Sequence, residues 1–231
     1  MIFASDSRTN AGVDHIARFS KMRVLAQTED RVIVAVCSGN LSITQGAVNT
    51  IEQRARAGDN APSMLNVSSM YDATRLLGEA MREVNDRDGE YLTQNNIDSN
   101  ANFLIGGQIR GEPPRLFHVY SEGNFIEATP ETCYFQIGEI KYGKPIIDRV
   151  VTRRTGLQEA TKCTLVSFDS TMRSNISVGL PIDLLVYEAD SIKVKLQRRI
   201  LESDPYFQMV HTEWGEGLRR VFAQLPNPEW S

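Results

Sequence analysis

The sequence predicts an α+β fold in which helices are segregated in pairs between blocks of strands, and three observations carry that prediction. RVIVAVCSG (31–39) is a continuous apolar, β-rich run closed by Ser-Gly, which reads as a buried strand. Strand-like runs then recur in series, at NFLIGGQIR, RLFHVYSEG and NFIEATPETCYFQIGE. Between these blocks the apolar spacing becomes helical twice in succession. There is no strict βαβ alternation, which argues against a doubly wound parallel sheet.

The elements follow in order. MIFASDSRTNAG opens as a short apolar run that hands over to a polar turn at Asp6, Arg8, Asn10 and Gly12. From Asn40 to Ala57, Leu41, Ala47, Val48, Ile51 and Ala55 share one helical face, and Gly58 follows as a stop. Residues 68–87 form a second helical stretch with Met70, Ala73, Leu76, Leu77, Ala80, Met81 and Val84 on one side, and 88–101 reads as a polar connector. Gly-Glu-Pro-Pro and Glu-Gly-Asn punctuate the three strand candidates as turns. Residues 142–153 and 156–173 read as helices, LPIDLLVYEAD and IKVKLQRRI as a late pair of strands, and 203–224 as an amphipathic helix carrying Phe207, Val210, Trp214, Leu218 and Phe222. No internal repeat, low-complexity tract or Pro/Ser-rich linker divides the chain, so 1–231 reads as one domain.

A hydrophobic content of 41% with 23% charged residues is ordinary for a globular protein, and a chain of 231 residues buries a full core without staples. The net charge of −4 argues against nucleic acid or an anionic membrane as the main partner. Cys37, Cys133 and Cys163 have no CxxC or Cys/His spacing, and read as reduced thiols rather than a disulfide frame or zinc site. No basic leader with an apolar core is present, and no apolar run approaches the ~18–20 residues of a membrane span. The expected address is the cytoplasm.

The common catalytic motifs are absent: there is no GxGxxG, Walker loop, HExxH or GxSxG. His15, His118 and His211 are scattered singly, which argues against a histidine triad or a metal cluster. Nothing indicates a metal or an organic cofactor. The pair Asp6 and Lys21 remains. Asp6 reads either as a strand-end carboxylate accepting turn N–H groups or as the partner of a buried Lys21 ammonium. In the second case the ammonium lowers the pKa of a neighbouring amine and stabilises negative charge on a nucleophile.

ASDSRTNAG with the lysine of FSKMRV resembles the start of a proteasome β-type subunit, in which an Asp-x-Arg ends the second strand and a Lys begins a later one. FASDSRTNAGVD, FLIGGQI, FQIGEIKYGKPIIDR and SNISVGLPIDLLVYEAD are similar to a bacterial proteasome-like branch, the Anbu (ancestral β-subunit) family, and are spread over nearly the whole chain. The resemblance implies the N-terminal-nucleophile hydrolase fold, a four-layer αββα sandwich. It also implies a homo-oligomer, as a ring or a ring-like helical assembly, acting on peptide or protein substrates. The family mechanism uses the hydroxyl of an N-terminal Thr or Ser to attack an amide carbonyl, with that residue's own α-amine, of pKa near ~8, as general base.

By the same resemblance, Asp6 matches the aspartate that positions the lysine, and Lys21 matches that lysine. Gly39 matches the glycine whose N–H forms the oxyanion hole, although a glycine closing a strand needs no further reason. Ser177 matches the serine of a later loop that supports the terminal amine. Cys37 falls beside the first specificity pocket or is a core thiol. The chain departs from the proteasome pattern at Gly138-Glu139-Ile140, where Glu139 replaces the usual assisting serine, and at Ser174, where an aspartate is expected. Both changes match the Anbu branch. Glu139 either assists as a base or pairs with a basic neighbour.

The nucleophile itself is the largest departure. Only MIFAS precedes Asp6, which leaves no room for the family's first strand and hairpin. That strand is expected upstream of Met1; otherwise the chain is an inactive paralogue serving as a non-catalytic assembly or ligand-binding subunit. A small-molecule amidase on the same fold is a third option, because fold does not fix substrate. The C-terminal helix with Trp214, and the tail LPNPEWS, read either as an assembly contact or as packing on their own subunit.

Overall fold

In a computed structural model, which describes residues 1–10, 16–57 and 61–230, the chain runs β1 (Ile2–Ser5), β2 (Arg8–Asn10), β3 (Ile16–Arg18), β4 (Met22–Gln27), β5 (Arg31–Gly39), α1 (Leu41–Ala57), α2 (Met70–Gln94), β6 (Ala101–Ile109), β7 (Arg115–Val119), β8 (Phe125–Glu127), α3 (Lys144–Val150), α4 (Leu157–Ser174), β9 (Ile182–Tyr187), β10 (Val194–Ile200) and α5 (Pro205–Gln224). Five strands form an antiparallel sheet in the order β4-β5-β6-β7-β8, and three form a second in the order β1-β9-β10. β2 and β3 make a separate two-stranded ribbon. The paired helices and the antiparallel sheets are the α+β arrangement that the element order predicts.

The apolar run of β5 is continuous because both of its faces are covered. Ile33 and Ala35 pack in one cluster with Ile43, Ile51, Met70, Leu77 and Met81 of α1 and α2. Val32, Val34 and Val36 point the other way and pack with Phe3 of β1 and with Leu185 and Tyr187 of β9. A third cluster joins Leu165 of α4 and Phe207 of α5 to Ile182 and Ile200 of the smaller sheet. At Gly106 a Cβ would be crowded from several sides, lying 2.9 Å from the Arg115 carbonyl oxygen, 3.0 Å from Leu116 Cδ1 and 3.1 Å from Phe3 Cζ.

The helices begin where local chemistry satisfies their first N–H groups. Asn40 Oδ1 accepts from the amides of Ser42 and Ile43 at 3.0 and 3.2 Å. Ser69 Oγ accepts from the Asp72 amide at 3.0 Å, and Asp204 Oδ1 accepts from Tyr206 and Phe207, with Pro205 at the first turn.

Arg8–Asn10, read as part of a polar turn, is the strand β2, and three of the elements read from the sequence have other bounds. α2 does not stop near 87 but runs to Gln94, because the one glycine of 88–94, Gly89, costs only about 1 kcal/mol in a helix and the segment is supported by bonds four residues apart, such as Gln94 to Glu90 at 3.1 Å. This extension carries no apolar stripe, so periodicity misses it. The stretch NFIEATPETCYFQIGE forms a strand only over Phe125–Glu127. Beyond it Pro130 and the Thr129–Thr132 turn end the ladder, and 128–139 continues without regular structure. α3 covers only Lys144–Val150, since the Thr152–Thr155 turn closes it. Gly58 and His15 lie outside the described residues. No described helix is long and apolar enough to cross a membrane.

Candidate active site

The end of β1 and the start of β4 bring the acid and the base together. Lys21 Nζ donates to Asp6 Oδ1 at 2.6 Å, with the Asp6 side chain 10% exposed and that of Lys21 21%. The other carboxylate oxygen, Oδ2, accepts from the amides of Arg8 at 3.1 Å and Gly179 at 3.4 Å. Asp6 therefore fills both roles that its sequence context suggests, turn acceptor and lysine partner. The Lys21 carbonyl accepts from the Cys37 amide at 2.9 Å, which fixes the lysine beside the end of β5.

β5 ends in a strained position that only glycine relieves. Gly39 has φ of +94°, and a Cβ there would sit 2.2 Å from the Asn100 carbonyl oxygen. The irregular segment 133–139 passes over this end, with a Cβ at Gly138 placed 3.4 Å from that of Ser38. Glu139 thereby lines the same cavity as Gly39. Its Oε1 accepts from the Lys141 amide at 2.8 Å and its Oε2 from Asn175 Nδ2 at 2.6 Å. The Lys141 amide in particular holds the Glu139 carboxyl below its ordinary range. Glu139 is thus an ionised, doubly anchored group, poorly suited to accept a proton.

Ser177 lies on the exposed loop that follows α4. Its amide donates to Asn175 Oδ1 at 2.8 Å. Asn175 thus links Glu139 on one side to the Ser177 backbone on the other. Arg8 holds the same loop from below, its Nη1 donating to the Ile176 carbonyl at 2.5 Å. Neither bridge is legible from the sequence alone. An Asn two residues before a serine is the signature of a local turn, which gives a weak pointer to Asn175.

All six residues singled out from the sequence, Asp6, Lys21, Cys37, Gly39, Glu139 and Ser177, line one cavity of about 610 Å³. Its floor is β1, whose outer edge has no strand partner among the described residues, and its far wall comes from α3 and α4. Two buried polar atoms in its lining, Ser5 Oγ and Gln136 Oε1, have no hydrogen-bond partner. Buried polar atoms are nearly always satisfied, by protein groups or by water. The Met1 amine reaches neither of them. It donates to the Tyr187 carbonyl at 2.5 Å at the opposite end of β1, roughly 16 Å from Asp6 at the rise of a strand. No group of three or more His, Cys, Asp or Glu able to hold a metal occurs among the described residues.

Cys37 packs partly against the α1/α2 core, and burial pushes its thiol above the ordinary value of 9.0. The protonated form dominates at neutral pH, so Cys37 is expected to react slowly with iodoacetamide at pH 7.5. The linkage sign is fixed by the raised value. Between 9.0 and the native pKa the folded state holds the proton that the unfolded state has lost, so this contribution to stability falls as pH rises past 9.0. Rapid modification of Cys37 in the native protein at pH 7.5 would contradict the assignment.

No protein-family model matches the chain, and no curated protein matches it. Solved structures do. The chain is similar to Anbu (ancestral β-subunit) from Yersinia bercovieri at 51% identity and a TM-score of 0.92, with 100% of this chain and 95% of that one covered. It is similar to an Anbu structure from Pseudomonas aeruginosa, solved as a helical assembly of the Anbu complex, at 48% identity and a TM-score of 0.92, covering 98% and 93% of the two chains. Anbu from Hyphomicrobium sp. strain MC1 matches at 45% identity and a TM-score of 0.90, covering 99% and 95%. Likeness of this extent over essentially the whole chain means that it belongs to the proteasome-like Anbu (ancestral β-subunit) family.

Proposed function

We propose that this chain is a proteasome-type subunit that hydrolyses peptide amides by an N-terminal nucleophile and acts within an assembly of its own copies. The observation that carries the reading is the Lys21–Asp6 pair, closed at 2.6 Å on a cavity that Gly39, Glu139 and Ser177 also line. The three core clusters support a four-layer αββα arrangement of the N-terminal-nucleophile type. The unpartnered edge of β1 supports a further first strand pairing there, bringing a terminal Thr or Ser to Lys21. Self-assembly is supported by the helical assembly of the Pseudomonas relative.

In this mechanism the hydroxyl oxygen of the terminal residue attacks the substrate carbonyl carbon, and its proton passes to that residue's own α-amine, directly or through a water. The Lys21 ammonium, held by Asp6, favours the developing negative charge and the neutral amine. The Gly39 N–H stabilises the tetrahedral oxyanion, a contribution of about 2.7–4 kcal/mol for one preorganised donor. Collapse breaks the C–N bond, the departing amine takes the proton, and water then hydrolyses the ester by the same route in reverse. Glu139 serves through Asn175 to hold the Ser177 loop rather than as a base. No step calls on a metal or an organic cofactor.

A non-catalytic assembly subunit is the second reading, favoured by the Glu139 carboxylate being taken up by the Lys141 amide and Asn175. Protein purified from its own gene separates the two when it is assayed against fluorogenic peptide amides and its terminus is sequenced. A Thr or Ser at the terminus with measurable turnover is expected. A terminus with neither, and no turnover, leaves the non-catalytic reading in its place.

A further inference from the structure

The cavity that holds Asp6 and Lys21 is lined by four residues with charged side chains, and three of them are already engaged. Lys21 is paired with Asp6 at 2.6 Å. Glu139 is taken up by the Lys141 amide at 2.8 Å and by Asn175 Nδ2 at 2.6 Å. The fourth is Arg153, whose guanidinium has no hydrogen bond or ion pair among the described residues. The lining thus presents one uncommitted charge among the described residues, and it is positive.

Local chemistry holds this arginine in place. Thr152–Thr155 closes the turn after α3, with Arg153 and Arg154 as its two central residues. The Thr155 amide donates to the Thr152 carbonyl at 3.0 Å, the Thr152 amide to Thr155 Oγ1 at 2.8 Å, and the Thr155 hydroxyl to the Val150 carbonyl at 3.3 Å. Of the two arginines only Arg153 lines the cavity. Ile147, Val151 and Phe168 make the same wall apolar beside it. The first turn of α4 follows at once. Its N-cap, Gly156, offers no side chain to the leading N–H groups, and Leu157 and Ala160 line the cavity, so the helix dipole adds positive potential there. Glu159, the acid of that turn, is exposed and outside the lining.

We propose that Arg153 is a specificity-determining residue that receives a carboxylate of the bound peptide. This rests on the reading of the cavity as the site of amide hydrolysis. A guanidinium pairs with a carboxylate through two parallel N–H···O bonds, a fit that a lone hydroxyl does not offer. A substrate Lys or Arg at the same place would meet a like charge. Lys21 does not compete for the carboxylate, because Asp6 already neutralises it. The first strand proposed above pairs along β1 on the floor, opposite the wall that carries Arg153. The carboxylate comes either from an acidic side chain or from the C-terminus of the peptide.

Internally quenched peptides of one apolar sequence test this on protein purified from its own gene. One set carries a Glu at each position in turn with an amidated C-terminus, one has Gln in its place, and one has Gln with a free C-terminus. Turnover is read as kcat/KM, and binding as the anisotropy of the same peptides bearing a single label. A carboxylate peptide is expected to be preferred by roughly three- to tenfold, chiefly through KM. The Glu peptides and the free C-terminus separate the two sources. Arg153→Glu is expected to abolish the preference with an unchanged thermal transition, since Arg153 is exposed. Arg154→Glu makes the same charge change outside the cavity and is expected to keep it. Turnover without a carboxylate preference, or a preference that the two variants affect alike, overturns the role of Arg153 and leaves amide hydrolysis standing. Carboxylate binding that depends on Arg153 without any turnover overturns hydrolysis and leaves the arginine's role. Neither turnover nor such binding overturns both.

Discussion

Lys21→Met is expected to abolish amide hydrolysis, with a loss on the order of 10²–10⁴-fold in kcat/KM, the range for a group that assists proton transfer in the transition state. The ammonium is the only cation within an ion pair's reach of Asp6 among the described residues, at 2.6 Å. Without it, the charge that develops on the hydroxyl oxygen has no fixed counter-charge. Methionine keeps the length and packing of the stem, which separates the chemical loss from a cavity. The substitution also leaves Asp6, itself 8% exposed, with the Arg8 and Gly179 amides but without its cation. A stability loss of about 1–3 kcal/mol accompanies it, below the figure for a fully buried pair because Lys21 retains some solvent contact. Thermal unfolding beside the assay resolves the two effects. A folded Lys21→Met protein with wild-type turnover would sink the assigned role.

Gly39→Ala is expected to be the more damaging change to the fold. The methyl group would have to occupy space 2.2 Å from the Asn100 carbonyl oxygen, at a φ of +94° that an L side chain resists. Asn100 accepts from the Asn40 amide at 2.8 Å, so relieving the clash breaks the junction of β5, α1 and β6. A cost of about 3 kcal/mol or more follows, a fall of roughly 10 °C in Tm for a chain of this size. Gly89→Ala provides the contrast. It lies within α2, where a Cβ would meet nothing nearer than 3.7 Å. It is expected to raise stability by about 0.5–1 kcal/mol. Equal effects of the two alanines on Tm would show that the β5 terminus is not strained.

Much of the fold was legible because burial writes itself into periodicity. β5 reads as a buried strand from its unbroken apolar run, and α1, the first part of α2 and α5 as helices from their spaced stripes. The parts that escaped were those whose conformation owes little to an apolar face. The last turns of α2 are mostly polar, with Leu92 packing on the core, and 128–139 looks like a strand by composition yet is turned aside by Pro130 and a threonine turn. That segment matters most for the site, since it carries Glu139 into the cavity that Gly39 lines. The six residues singled out from the sequence line one cavity. Their couplings were not legible, because the Asn175 bridge and the Arg8 contact to Ile176 join residues 36 and 168 positions apart. No local pattern encodes contacts over such separations.

The central claim is that chemistry at this cavity belongs to an N-terminal hydroxyl supported by Lys21, and a covalent trap tests it most directly. The assembled protein is incubated with a peptide β-lactone, and intact and fragment masses are measured. The account predicts one acyl group per subunit, esterified to the hydroxyl of the N-terminal residue and absent in Lys21→Met. Acylation of Cys37 instead, or no adduct in a protein whose terminus is Thr or Ser, would contradict it.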